Sequence, residues 1–172
     1  TGHGMAAAFL MATTQLLVRT TLQRLGDLSK TLEEVNRQLC SIAYSGQFVT
    51  MLLMVIDLPN GYVDIASAGH APPLIGADNH YEPLSLQPHY VLGVEPDEQY
   101  QTLRIKISEL TRFVFYTDGV LDAQNASGDR FGLPRLRRSL ATPPTAPRHT
   151  IDAILASVDK FSSGHESHSD LT

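Results

Sequence analysis

The chain has 172 residues, 42% hydrophobic and 18% charged, which is the composition of a folded globular protein rather than a disordered one. Its formal net charge of −5 argues against the basic stripe that nucleic acid or an anionic membrane would select, although it leaves open a local patch such as Arg135, Arg137 and Arg138. One cysteine, Cys40, excludes an internal disulfide, and no run of about 18 consecutive apolar residues offers a membrane span.

The opening TGHGM carries neither a starting methionine nor a basic leader, and reads as a cut through a larger protein. Met5–Leu25 is rich in Ala, Leu, Met and Gln and predicts a helix that Gly26-Asp27 stops. A second helix is predicted from Leu28 to Ala43. Its apolar stripe is Leu28, Leu32, Val35, Leu39 and Ile42, and Lys30, Glu33, Glu34 and Arg37 lie on the solvated face. Two helices with a short link predict a helical hairpin. From Gln47 the texture changes: two β-prone runs flank Asn60-Gly61, the pair favoured in a type I′ turn, and the first run is apolar enough to suggest cover on both faces. SAGHAPPLIG reads as a tight loop, with short strands at Leu74-Ile75 and near Tyr81. Tyr100–Ile107 alternates, with Leu103, Ile105 and Ile107 inward, and Phe113–Thr117 predicts a buried strand. A helical turn after Asp118, a glycine-containing loop, a short helix over Leu133–Leu140 and a final helix capped by Thr150 complete the order. SSGHESHSDLT reads as a loop leading into a further strand. Helices and strands in separate blocks predict an α+β fold with mainly antiparallel sheet.

The acids and histidines bear on chemistry. Asp118 follows a strand and precedes a glycine, so its carboxylate either caps the next helix or is paired, hydrogen-bonded or metal-bound. Asp170 occupies the same kind of junction. Surface or capping roles suit Asp57, Asp64 and Asp122. His165 and His168 read either as a polar tail or as part of a crude metal cluster with Asp170. His3 and His70, beside glycines, could line a site or merely mark turns. There is no nucleophile elbow, and Cys40, which reads as a small buried hydrophobe, has no partner for thiolate chemistry.

Eight motifs occur in order: TGHGMAAAFLMA (1–12), LEEVNRQL (32–39), QFVTML (47–52), ASAGHAPPLI (66–75), LGV (92–94), FYTDGVLDAQN (115–125), RFGLPRL (130–136) and SDLT (169–172). Together they resemble the bacterial stress-response and sporulation branch of the PPM phosphatases, the protein phosphatase 2C-like superfamily. The resemblance implies one domain over 1–172, truncated at the N-terminus and at the C-terminal end. It implies a four-layer α-β-β-α sandwich of two mainly antiparallel sheets flanked by helices, with the N-terminal strands missing. Two ions, Mn²⁺ or Mg²⁺, are implied at the end of the sandwich, with Asp118 and Asp170 as metal and catalytic acids, and two further acids are implied before Thr1. Ser169 stands where the family usually has the first of two consecutive acids.

The implied activity is a metal-dependent serine/threonine phosphatase acting in the cytoplasm on a phosphorylated STAS-domain, anti-anti-sigma type regulator. An upstream receiver or sensor domain in the same polypeptide would act through the first two helices, and a homodimer is a further implied state. The competing reading is an inactive pseudophosphatase that binds a sigma factor or its regulator as an adaptor, motivated by Ser169 and the missing upstream acids.

Overall fold

Met5–Leu25 does form one helix, α1, in the structure, a computed structural model that describes residues 4–42, 46–77, 80–141 and 146–162. Gly26 ends α1 in the left-handed region at φ 64°, donating its N–H to the Leu22 carbonyl at 2.8 Å. Asp27 then caps the second helix, α2 (Leu28–Ile42): its Oδ1 accepts the Lys30 N–H at 2.9 Å and the Ser29 hydroxyl at 3.1 Å. The two-residue link folds α2 back along α1.

Leu28, Leu32, Val35 and Leu39 are buried, at roughly 1.5–3 kcal/mol each before entropy is counted. Ile42 departs from the expected stripe. It is 52% exposed because it is the last residue of the helix, past the stretch that packs. On α1, Leu10, Thr14, Val18 and Thr21 make the buried face, and Thr14 satisfies its hydroxyl on the Leu10 carbonyl at 2.7 Å. Among the described helices, α1 alone reaches the length and mean hydropathy of a membrane span, 1.2 over its best window. That indication is weak, because Leu10, Val18, Leu28 and Leu32 share one core cluster and the helix carries Arg19 and Arg24.

The chain divides into two compact units, Thr1–His70 with Leu86–Ser108, and Ala71–Ser85 with Glu109–Thr172. In the first, β1 (Met51–Asp57), β2 (Tyr62–Ala68) and β5 (Thr102–Lys106) form an antiparallel sheet in the order β1-β2-β5. Central β2 carries Val63, Ile65, Ala66 and Ala68 into the interior, and α2 packs on it. The expectation that β1 is covered on both faces is corrected: Val55 is 42% and Ile56 48% exposed. Among the described strands β1 pairs only with β2, which leaves it at an edge.

The hairpin turn also differs from expectation. Asp57 pairs with Tyr62, so the loop is the four residues Leu58–Gly61 rather than Asn60-Gly61 alone. Pro59 fixes the turn, the Gly61 N–H reaches the Leu58 carbonyl at 3.2 Å, and Asp57 accepts both the backbone and the side-chain N–H of Asn60 at 3.2 and 2.8 Å.

The second unit holds β3 (Leu74–Ala77), β4 (His80–Pro83) and β6 (Arg112–Val114), antiparallel in the order β4-β3-β6, with α3 (Asp118–Asp122), α4 (Gly132–Ser139) and α5 (Pro147–Ser162). Leu74, Tyr81, Tyr116, Val120, Phe131, Leu136, Ile154 and Val158 belong to one core. Two expectations need correction here. The strand expected over Phe113–Thr117 ends at Val114, where its pairing to Leu74 ends, and Phe115 is 44% exposed. Thr150 lies inside α5 rather than capping it, because Pro147, with φ already helical and no N–H to satisfy, starts the helix three residues earlier.

Candidate functional site

Asp118 is the first residue of α3. The chain leaves β6, buries Tyr116, passes Thr117 in extended conformation at φ −98° and ψ 167°, and turns, with the Val120 N–H on the Thr117 carbonyl at 3.2 Å. Tyr116, Val120 and Ala123 are anchored in the core on either side of the turn, so the acid is held on a fixed element while its own side chain is exposed. Its carboxylate forms no hydrogen bond and no ion pair among the described residues. Asp118 is thus not the capping residue of α3; that position belongs to Thr117, whose side chain makes no cap bond.

Among the described residues, the other acids considered in the sequence, Asp57, Asp64 and Asp122, are engaged. Asp122 pairs with Arg130 at 2.8 Å, Asp64 takes the Arg104 guanidinium through two contacts of 2.7 and 2.6 Å, and Asp57 serves the hairpin loop. The Arg104 side chain holds the Asp64 carboxyl below the usual carboxylate range. Burial raises the Tyr116 phenol above its ordinary value, so Tyr116 is a neutral hydroxyl near neutral pH. Asp170, His3, His165 and His168 lie outside the described residues. Among the described residues no group of three His, Cys, Asp or Glu side chains is arranged to hold a metal.

The quoted motifs come together separately within each unit. In the second, Phe131 of RFGLPRL donates its N–H to the Ala123 carbonyl at 2.8 Å, and Gln124 and Arg130 form a β-bridge, so that segment buttresses the segment bearing Asp118. In the first, Val49 pairs with Leu92 through bonds of 3.0 and 2.9 Å, and Gly69 lies against Val91 at φ 63°. A Cβ at Gly69 would overlap Val91 Cγ1, so glycine is required there for both conformation and space. His70 follows, its Nδ1 3.4 Å from the Thr50 hydroxyl, and the Ser67 hydroxyl donates to the His70 carbonyl at 3.2 Å.

Two features of this unit escaped the sequence reading. Asn36, fully buried on α2, accepts the Gly93 N–H at 2.8 Å and donates to the Glu95 carbonyl at 2.6 Å, tying LEEVNRQL to LGV. The available signal was a polar residue beside Val35 and Leu39 on the buried face of the helix. The second is His89, whose Nδ1 lies 2.8 Å from the Glu98 carboxylate, both side chains largely buried. Nothing in the spacing of these two residues announces the pair. Cys40 is half-buried with its sulfur 3.7 Å from Asn36 Oδ1, and burial raises its thiol above the ordinary value, which disfavours a thiolate.

A family model described as Stage II sporulation protein E (SpoIIE) matches residues 1–172. The phosphoserine phosphatase RsbP of Bacillus subtilis is 29% identical over 126 residues, covering 70% of this chain and 31% of RsbP. The chain therefore spans about a third of that relative's length. The SiaA-PP2C domain of Pseudomonas aeruginosa matches with a TM-score of 0.83 at 20% identity, covering 99% of this chain and 70% of that one. The phosphatase domain of the cell-fate determinant SpoIIE from Bacillus subtilis, presoaked with Mn, matches with a TM-score of 0.63 at 16% identity, covering 92% of this chain and 70% of that one. These likenesses show the fold, α+β with two antiparallel sheets flanked by helices, as expected from the sequence.

Proposed function

The chain belongs to the stage II sporulation protein E (SpoIIE) family, and on that premise we propose that it is a PP2C-type, metal-dependent phosphatase acting on phosphoserine or phosphothreonine of a protein partner. The observation that carries the reading is Asp118: an exposed carboxylate with no partner among the described residues, fixed by buried neighbours at a strand-to-helix turn. RsbP, named a phosphoserine phosphatase, supports the substrate chemistry.

The donor chemistry of Asp118 fits Mn²⁺ or Mg²⁺, hard ions that take carboxylate oxygens. A pair of such ions would supply a hydroxide near neutral pH and offset charge on the transferring phosphoryl group. In this reading Asp118 is one ligand and Asp170 another, with the remaining acids coming from sequence before Thr1. Tyr116 and Val120 anchor the backbone on either side of Asp118, which fixes where on the fold its carboxylate is presented. We further propose a single phosphatase domain across 1–172, a cytoplasmic setting, and a STAS-type regulatory protein as substrate.

The test is Mn²⁺-dependent hydrolysis of p-nitrophenyl phosphate by the protein carrying its native sequence on both sides of these residues. Losing an outer-shell partner of a ligand already costs 10–100-fold, so Asp118→Asn is expected to lower turnover by at least about 100-fold while the far-UV spectrum is unchanged. Undiminished turnover in Asp118→Asn would remove Asp118 from the metal site. No Mn²⁺-dependent turnover in either protein would favour the adaptor reading.

A further inference from the structure

Helix α4 carries three arginines that are used in different ways. Arg135 turns inward: its guanidinium donates to the Arg130 and Phe131 carbonyls at 2.8 and 3.1 Å and stacks over the Phe161 ring at 4.4 Å. Arg137 pairs with Glu82 on β4, and His80 Nε2 lies 3.4 Å from the same carboxylate. Arg138 is exposed, and its guanidinium forms no hydrogen bond or ion pair among the described residues. Between α4 and β4 lies an open pocket of about 380 Å³, lined by His80, Tyr81, Leu133, Pro134, Arg137 and Arg138.

We propose that this pocket is a docking site for an acidic segment of a protein partner, separate from the chemistry at Asp118. Its charge carries the argument. Among the described residues two guanidinium groups and the His80 ring line it and Glu82 opposes them, on a chain whose net charge is −5. A local positive site on an acidic protein selects partners by complementarity and holds off other acidic surfaces. Its walls fix the kind of ligand. Leu133, Pro134 and the buried Tyr81 give rigid apolar sides, and the volume exceeds what one phosphate group needs, so aliphatic stems bearing carboxylates fit it. Arg138 offers a planar fork for one carboxylate, and Arg137, partly neutralised by Glu82, sets the position of the next. His80 is the one exposed ring among the lining residues and Tyr81 is buried, which is too little to stack successive bases, so a single-stranded nucleic acid is disfavoured.

The test is fluorescence anisotropy of a fluorescein-labelled hexaglutamate peptide with the intact protein, against a neutral Gly/Ser peptide. Specific binding that weakens between about 50 and 300 mM salt is expected. Arg138→Glu should weaken it at least about fivefold, whereas Arg19→Glu, an equal change of charge on the exposed side of α1, should change it less than twofold. No binding by the parent, or equal losses in the two variants, would overturn the proposal. Displacement of the peptide by inorganic phosphate at matched concentration would also overturn it, marking a small-anion site instead. Hydrolysis of p-nitrophenyl phosphate should be the same in Arg138→Glu as in the parent, so the outcome at this pocket is read independently of the phosphatase proposal.

Discussion

Asp118 and Asp122 lie four positions apart at the two ends of α3, yet only Asp122 is engaged, by Arg130. That difference is what makes Asp118 available to a cation. It was legible in the sequence only through the TDG motif, because an acid before a helical turn reads equally well as a cap. Asn36 was illegible for the opposite reason: its partners are backbone groups 57 and 59 residues away, which no local pattern encodes. Asn36→Ala would take the partner from the half-buried Gly93 N–H and leave the Glu95 carbonyl with the Glu98 N–H alone, and should cost about 1–3 kcal/mol in urea denaturation. A loss under about 0.5 kcal/mol would show that the tie does not hold the 92–95 turn to α2.

At the scale of the element, the helices were the most legible part. The repeat of Leu28, Leu32, Val35 and Leu39 fixes α2 and its buried face, and Gly26 ends α1 in a left-handed conformation that glycine adopts most readily. The errors fell at ends and edges. β6 is shorter than its apolar run, and β1 is more exposed than its own, because strand length and cover depend on partners that sequence periodicity does not reveal. The link between α1 and α2 yields a pH prediction. The Lys30 N–H, and then the Ser29 hydroxyl, lower the Asp27 carboxyl below its ordinary value despite some opposing burial. The folded value lies below the unfolded one of about 3.9, so the stabilisation is complete above that pH and is lost as pH falls through the folded value. Asp27→Ala should therefore cost about 1 kcal/mol at pH 7 in thermal unfolding, and the difference should begin to shrink below about pH 4 and close once pH has fallen through the folded value. A difference that persists unchanged at pH 2 would show that the carboxylate charge contributes nothing to the cap.

For the molecule as a whole, the block order of helices and strands pointed to α+β, and the eight motifs together to the family that matches residues 1–172. What composition left hidden was that the motifs divide between two units, each with its own sheet and core. The basic pocket was legible only as the run Arg135, Arg137 and Arg138, and the sequence did not show that Arg135 turns inward while His80 joins the other two across the pocket. The account stands on the carboxylate at Asp118 holding a divalent ion. Calorimetric titration of Mn²⁺ into the protein with its native flanking sequence, beside Asp118→Asn, addresses that most directly. The account predicts Mn²⁺ binding by the parent and a loss of at least about tenfold in affinity in the variant. Equal affinity and stoichiometry in the two proteins would contradict it.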